Sequence, residues 1–195
     1  MKLSTLRTTL LLAVALGLTA CGGKASFDLT GPVTGLQHPG LVLVNTKTGD
    51  EVAVPVGATS FKLAKSVEYG EEYAVTVKTD PVHQNCSVGT GASTAGRLAT
   101  ISIEVVCRLN EFQIGGAVSG LTSDGVLVLV NGSGDRVEIR KGATSYAFIN
   151  RVKFDESYGV TVLSQPTGQT CTVANGVGKM GDAAVTNINV SCGLG

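Results

Sequence analysis

The sequence predicts an all-β chain of two tandem seven-stranded β-sandwich modules behind an apolar leader. Three observations predict it. Apolar residues alternate with a period of two, Val and Thr abound between regularly spaced glycines, and residues 27–107 recur as residues 112–192. A period of two puts every second side chain on one face of a sheet. β-Branched residues suit a pleated, half-buried surface. Self-similarity at a displacement of about 85 residues marks a duplicated folding unit.

The leader comes first. Lys2 and Arg7 precede the apolar run Leu10-Leu11-Leu12-Ala13-Val14-Ala15-Leu16, and Leu18-Thr19-Ala20-Cys21 follows. A basic start, an apolar stretch shorter than the ~20 residues of a membrane span and small residues before a cleavage point describe a signal peptide over residues 1–20. Gly22-Gly23-Lys24 is a flexible break rather than a stop-transfer flank. The Leu18–Cys21 motif resembles the lipobox of bacterial lipoproteins. That resemblance implies that Cys21 is diacylated, becomes the first residue of the mature chain and is acylated at its amino group, with palmitate among the expected chains. Residues 21–26 then form a lipidated tether, and the membrane is a partner through Cys21. Each buried methylene contributes ~0.8 kcal/mol, so several chains on one cysteine anchor stably where one would be marginal. Gly22 rather than an acidic residue follows Cys21. In enteric-type lipoproteins this implies sorting to the outer membrane of the cell envelope.

The strands follow in order. The first module, residues 27–107, reads as strands near Phe27–Val33, Leu41–Val44, Val52–Val56, Phe61–Leu63, Tyr73–Val77, Cys86–Val88 and Ile101–Cys107. The second, residues 112–195, repeats the pattern after the linker Arg108-Leu109-Asn110-Glu111. Val33-Thr34-Gly35-Leu36 matches Val118-Ser119-Gly120-Leu121, and Gly57-Ala58-Thr59-Ser60-Phe61 matches Gly142-Ala143-Thr144-Ser145-Tyr146. Pro81, Gln84 and Cys86 match Pro166, Gln169 and Cys171. Short strands with turn signals every 8–12 residues or so describe a sandwich. Gly89–Gly96, between two strand segments, reads as a flexible loop.

The cysteines share the inward parity of their strands. Four cysteines permit three pairings; the duplication selects Cys86–Cys107 and Cys171–Cys192, since each module keeps its own pair at one spacing. An oxidising envelope lets such bonds persist.

Composition narrows function mainly by exclusion. The whole chain carries 15 cations and 15 anions. Loss of Lys2 and Arg7 with the leader leaves 13 against 15, a net charge of −2, so no electrostatic footprint for nucleic acid exists. The only histidines, His38 and His83, lie in polar or Pro-containing turns, and Ser123 and Gly168 stand at their second-copy positions. They read as exposed loop residues rather than ligands or bases. The acidic groups Glu68/Glu71/Glu72 and Asp155/Glu156 lack the alternating oxygen ligands of a calcium loop and read as solvated turns. Tyr73, Tyr158, Phe27 and Phe112 recur with core parity. No nucleophile–base pair, metal set or cofactor loop is expected.

The pattern Thr76-Val77-x-Thr79-x-Pro81-x-x-Gln84-x-Cys86, closing with Val105-x-Cys107, resembles a repeat of bacterial secreted proteins and lipoproteins that is similar to immunoglobulin-like or transthyretin-like sandwiches. The resemblance implies architecture and no reaction. The expectation is a lipid-anchored envelope lipoprotein acting as a non-catalytic binding or structural module with an envelope protein as partner. The alternative is an accessory protein that binds carbohydrate or peptidoglycan.

Overall fold

Alternating side chains give each module two faces, and those faces set its layers. The computed structural model describes residues 24–195. The expected signal peptide over residues 1–20 and the anchor Cys21 lie outside the described residues. In the first module β1 (Ser26–Phe27), β2 (Thr30–Thr34), β3 (Val42–Asn45), β4 (Asp50–Ala53), β5 (Ser60–Lys62), β6 (Val67–Glu68), β7 (Glu72–Thr79), β8 (Gln84–Val88), β9 (Ala92–Thr94) and β10 (Val105–Leu109) follow in order. They make one sheet of order β5-β2-β10-β8, a second of order β4-β3-β7-β9, and a two-residue ribbon β1-β6.

The second module repeats every element: β11 (Glu111–Phe112), β12 (Gly115–Ser119), β13 (Leu127–Asn131), β14 (Asp135–Ile139), β15 (Ser145–Ala147), β16 (Val152–Lys153), β17 (Ser157–Ser164), β18 (Gln169–Val173), β19 (Val177–Lys179) and β20 (Val190–Leu194). Its sheets are β15-β12-β20-β18 and β14-β13-β17-β19, with the ribbon β11-β16. Even the register shift against the long strand recurs, at Val42/Leu43 and at Val128/Leu129. In each module one strand pair is parallel, β10 on β2 and β20 on β12.

Each module buries its own core. Leu29, Leu43, Val75, Ile103 and Val105 belong to the first, and Ile114, Leu129, Val160, Ile188 and Val190 to the second. The disulfides Cys86–Cys107 and Cys171–Cys192 join directly opposed residues of β8/β10 and β18/β20. Closing a loop at a sequence separation of 21 stabilises each module by about 3 kcal/mol in the chain-entropy account.

Gln84, Gln169 and Asn45 are buried pins, and Asn131 is a half-buried one. Gln84 Oε1 accepts from the backbone N–H of Gln37 and His38, both at 2.8 Å, while its amide donates to the Gly35 carbonyl. Gln169 does the same for Thr122, Ser123 and Gly120. Asn45 and Asn131 accept from Ala74 N–H and Gly159 N–H. Buried amides persist where their hydrogen bonds are met, and these fix the loops that carry the site described below.

The strand count departs from seven. Each module has eight strands in its two sheets besides the ribbon. β9 and β19 fall in stretches whose polar residues and glycines hide the period, so Gly89–Gly96 is in part a strand. Gly91 is needed there: a Cβ would lie 2.3 Å from the Val75 carbonyl oxygen. Conversely, Ile101 and Ile103 are buried, yet only an isolated bridge between Thr30 and Ser102 forms. Their alternation reports burial without a ladder.

Candidate functional site

Of residues 108–111 only Asn110 lies outside a strand. Its backbone is held from both sides: its N–H donates to the His83 carbonyl at 2.9 Å, and its carbonyl accepts from the Phe154 N–H at 2.8 Å. The linker is therefore part of the joint between the modules.

Local structure carries side chains to that joint. Gln84 fixes the loop after β2, which presents His38. The turn between β7 and β8 presents His83; Val82 N–H donates to the Pro39 carbonyl and ties the two loops together. Asp80 Oδ1 accepts from Cys86 N–H at 2.8 Å and closes the turn. From the second module, the turn between β16 and β17 brings Phe154 and Asp155. Glu156 Oε2 accepts from Lys153 N–H across that turn. The chain beyond β19 brings Asp182.

The contacts are specific. The His83 ring stacks on Phe154 with centroids 3.8 Å apart and planes 6° from parallel. His38 stands edge-on to both, 5.1 Å from His83 and 5.7 Å from Phe154. His83 Nδ1 lies 2.6 Å from Asp182 Oδ2. A carboxylate only accepts, so Nδ1 carries the proton and donates. Asp155 Oδ1 accepts from Lys179 at 2.7 Å. The Lys179 hydrogen bond, then its charge, hold the Asp155 carboxyl below the usual carboxylate range, with a smaller pull from His38.

Among the described residues His83, Asp155 and Asn175 are the non-glycine residues with positive φ, and the first two lie at the joint. His83 and Asp155 adopt φ of 61° and 62°. The residues at their positions in the other copy are Gly168 and Gly70, at 71° and 87°. A left-handed conformation costs a residue with a Cβ roughly 1–2 kcal/mol. The His83 side chain is kept despite that cost and engages the joint, while Asp155 bonds Lys179 of its own module beside it. Strain that persists at a contact is a pointer to function.

The sequence expectations are met unevenly. His38 and His83 were expected in exposed turns, and both are half-buried, the His83 side chain being 32% exposed. The cause lies far along the chain: Phe154 covers them from the other module. The acidic groups do more than solvate turns. Glu71 caps Glu68 N–H as Glu156 caps Lys153 N–H, and Glu72 pairs with Lys47 at 2.8 Å. Tyr73 is buried, while Phe27, Phe112 and Tyr158 pack at the margins of their cores. Sequence reasoning missed Phe154 and Asp182. A signal existed: the copies differ at Tyr69/Phe154, Gly70/Asp155 and Arg97/Asp182, all at one pole of the module. Among the described residues no three His, Cys, Asp or Glu side chains are placed to hold a metal ion.

No family model matches the chain, and no curated protein matches it. It is similar to several solved bacterial structures. The Bacillus anthracis TIE protein is 10% identical over 85% of this chain and 34% of its own, with a TM-score of 0.43. The C-terminal fragment of the pilus adhesin SpaC from Lactobacillus rhamnosus GG is 11% identical over 86% and 95%, at 0.34. The major pilin T-13 of Streptococcus pyogenes is 10% identical over 89% and 98%, at 0.32. The chain spans about a third of the length of the first of these. The fold described above rests on the strand pairing of the chain itself.

Proposed function

We propose that this chain is a lipid-anchored protein of the bacterial cell envelope whose two sandwiches act as one non-catalytic structural or binding unit. The joint carries this reading. One residue, Asn110, is hydrogen-bonded to both modules, and the His83–Phe154 stack and the His83–Asp182 contact reinforce it. Such a joint holds the second module in a set relation to the first. With acyl chains on Cys21, residues 22–26 span at most about 17 Å, which keeps the first module beside the bilayer. The loops of the second module, around Ser123 and Gly168, then form the surface offered to an envelope partner.

Replacing Cys21 with Ser tests the anchor by cell fractionation. The protein should move from the membrane to the soluble fraction, and unchanged membrane retention overturns the anchored reading. Spin labels at Thr59 and Thr144, one in each module, test the unit. A single narrow distance distribution is expected, and a broad one overturns a fixed joint.

A further inference from the structure

A cleft of about 540 Å³ opens beside the joint, with Gln37, Asn85 and Arg108 on the first module and Glu111, Arg151 and Lys153 on the second. It lies in the size range of small-molecule sites, ~300–1,000 Å³. Three cations and one carboxylate line it. Most other cations among the described residues are matched: Lys24, Lys47, Lys62, Lys78, Arg140, Lys141 and Lys179 each hold a carboxylate within 3.6 Å. Among the described residues Arg108, Arg151 and Lys153 form no ion pair, although Glu111 stands in register with Lys153. One carboxylate against three cations leaves an excess of positive charge in the cleft. Like charges so gathered repel one another, and a bound anion between them would remove that cost.

Comparison of the copies makes the cluster a feature of the joint. Gly193 stands where Arg108 would recur, Ser66 where Arg151 would, and Glu68 where Lys153 would. The amides Gln37 and Asn85 are replaced by Thr122 and Thr170. Cations therefore occupy these positions on the two poles that meet and on neither pole that does not. Two of them are arginines, whose planar forks suit two-oxygen anionic groups. The Gln37 amide can pair with hydroxyls, as can the oxygen and remaining N–H of Asn85, whose other N–H donates to Asp80.

We propose that this cleft binds a small, hydroxylated, multiply anionic ligand, carrying phosphate or carboxylate groups, between the two modules. The site needs both modules and needs no lipid anchor, so it stands or falls separately from the envelope reading.

The test uses the full chain in nonionic detergent, followed by backbone amide NMR. Glucose 6-phosphate and citrate distinguish the phosphate from the carboxylate source, and inorganic phosphate and neutral glucose complete the set. Either anionic ligand should give saturable shifts at Asn85, Arg108, Asn110 and Lys153, weakening with added salt. The pair Arg151→Gln with Lys153→Gln should weaken binding at least tenfold while the remaining spectrum stays folded. Lys65→Gln, at an unpaired surface cation away from the cleft, should change nothing. Neutral glucose binding as well as the anions overturns the proposal, as do shifts scattered over all surface lysines. So does the absence of saturation for glucose 6-phosphate and citrate alike, or inorganic phosphate alone shifting these amides without saturation.

Discussion

The two modules share one scaffold and differ where they face each other. Gln84 and Gln169 hold the same loop by the same three hydrogen bonds. Yet that loop presents His38 in one copy and Ser123 in the other. The neighbouring turn carries His83 in one and Gly168 in the other, both at positive φ. The opposite pole shows the reverse arrangement: Asp155 in the second module stands where the first has Gly70. The scaffold tolerates glycine at these turns, and His83 appears where the partner module can use it. A duplicated fold has thus become a directional pair, with a joint on one pole of each copy.

The disulfides carry the largest expected effect on either module. Replacing Cys86 and Cys107 with Ala should cost the first module about 3 kcal/mol, and the same change at Cys171 and Cys192 should cost the second as much. Calorimetry checks whether each pair lowers one transition or both. Two transitions moving together would show that the joint couples unfolding of the modules.

The joint itself comes next. A double-mutant cycle between His83→Gly and Phe154→Ala should show a coupling of about 1 kcal/mol in urea unfolding, the usual worth of a ring pair beyond its buried area. His83→Gly alone should cost less than Phe154→Ala, because the strained backbone at His83 is relieved. Tyr69→Ala, at the position that corresponds to Phe154, should show no coupling to His83.

A third contrast lies in the cores. Tyr146 donates to the Ile188 carbonyl at 2.9 Å, and burial pushes its hydroxyl up to about 12. The first module has Phe61 at that position. The unfolded tyrosine loses its proton near 10 while the folded one keeps it. The unfolded state therefore binds fewer protons, and stability falls as pH rises from about 10 towards 12. The second module should weaken selectively in that window. Tyr146→Phe should abolish the alkaline slope and cost about 1 kcal/mol at neutral pH, as followed by chemical denaturation at stepped pH.

The smallest effect concerns surface pairs, which do not recur between copies. Asp28 is held below the usual range by its hydrogen bond to Lys62, and Asp155 by its bond to Lys179. A depressed carboxylate stabilises above its unfolded pKa, and the contribution is lost as pH falls through the folded value. Lys62→Gln should raise the Asp28 titration and leave Asp155 unmoved, and Lys179→Gln should do the opposite. Side-chain carboxyl NMR across the acid range reads both.

Much of the architecture was legible because local rules and duplication agree. Alternation at Tyr73/Val75/Val77 marked the long strand, and repeated spacing identified the cysteine pairs that form. Gln84 recurred in the sequence, but its role as a loop pin required knowing which backbone N–H groups it reaches. β9 escaped because polar residues at a sheet edge carry no apolar period. The joint escaped for a different reason. His83 and Asp182 are 99 residues apart, and no local periodicity encodes which loop of one module meets which loop of the next. Only the mismatches between copies pointed there.

The parallel pairing of β10 on β2 also has a mechanical consequence. The chain enters each module near the first of these strands and leaves by the second, which runs beside it in the same direction. Tension between the amino terminus and the second module pulls the two strands past each other, so their hydrogen bonds are loaded together in shear rather than opened one at a time. The covalent bridge ties the departing strand to β8 at Cys107, which keeps that strand in its sheet while the load is applied. The first module is thereby wired as a tension-bearing link between the amino terminus and the second module.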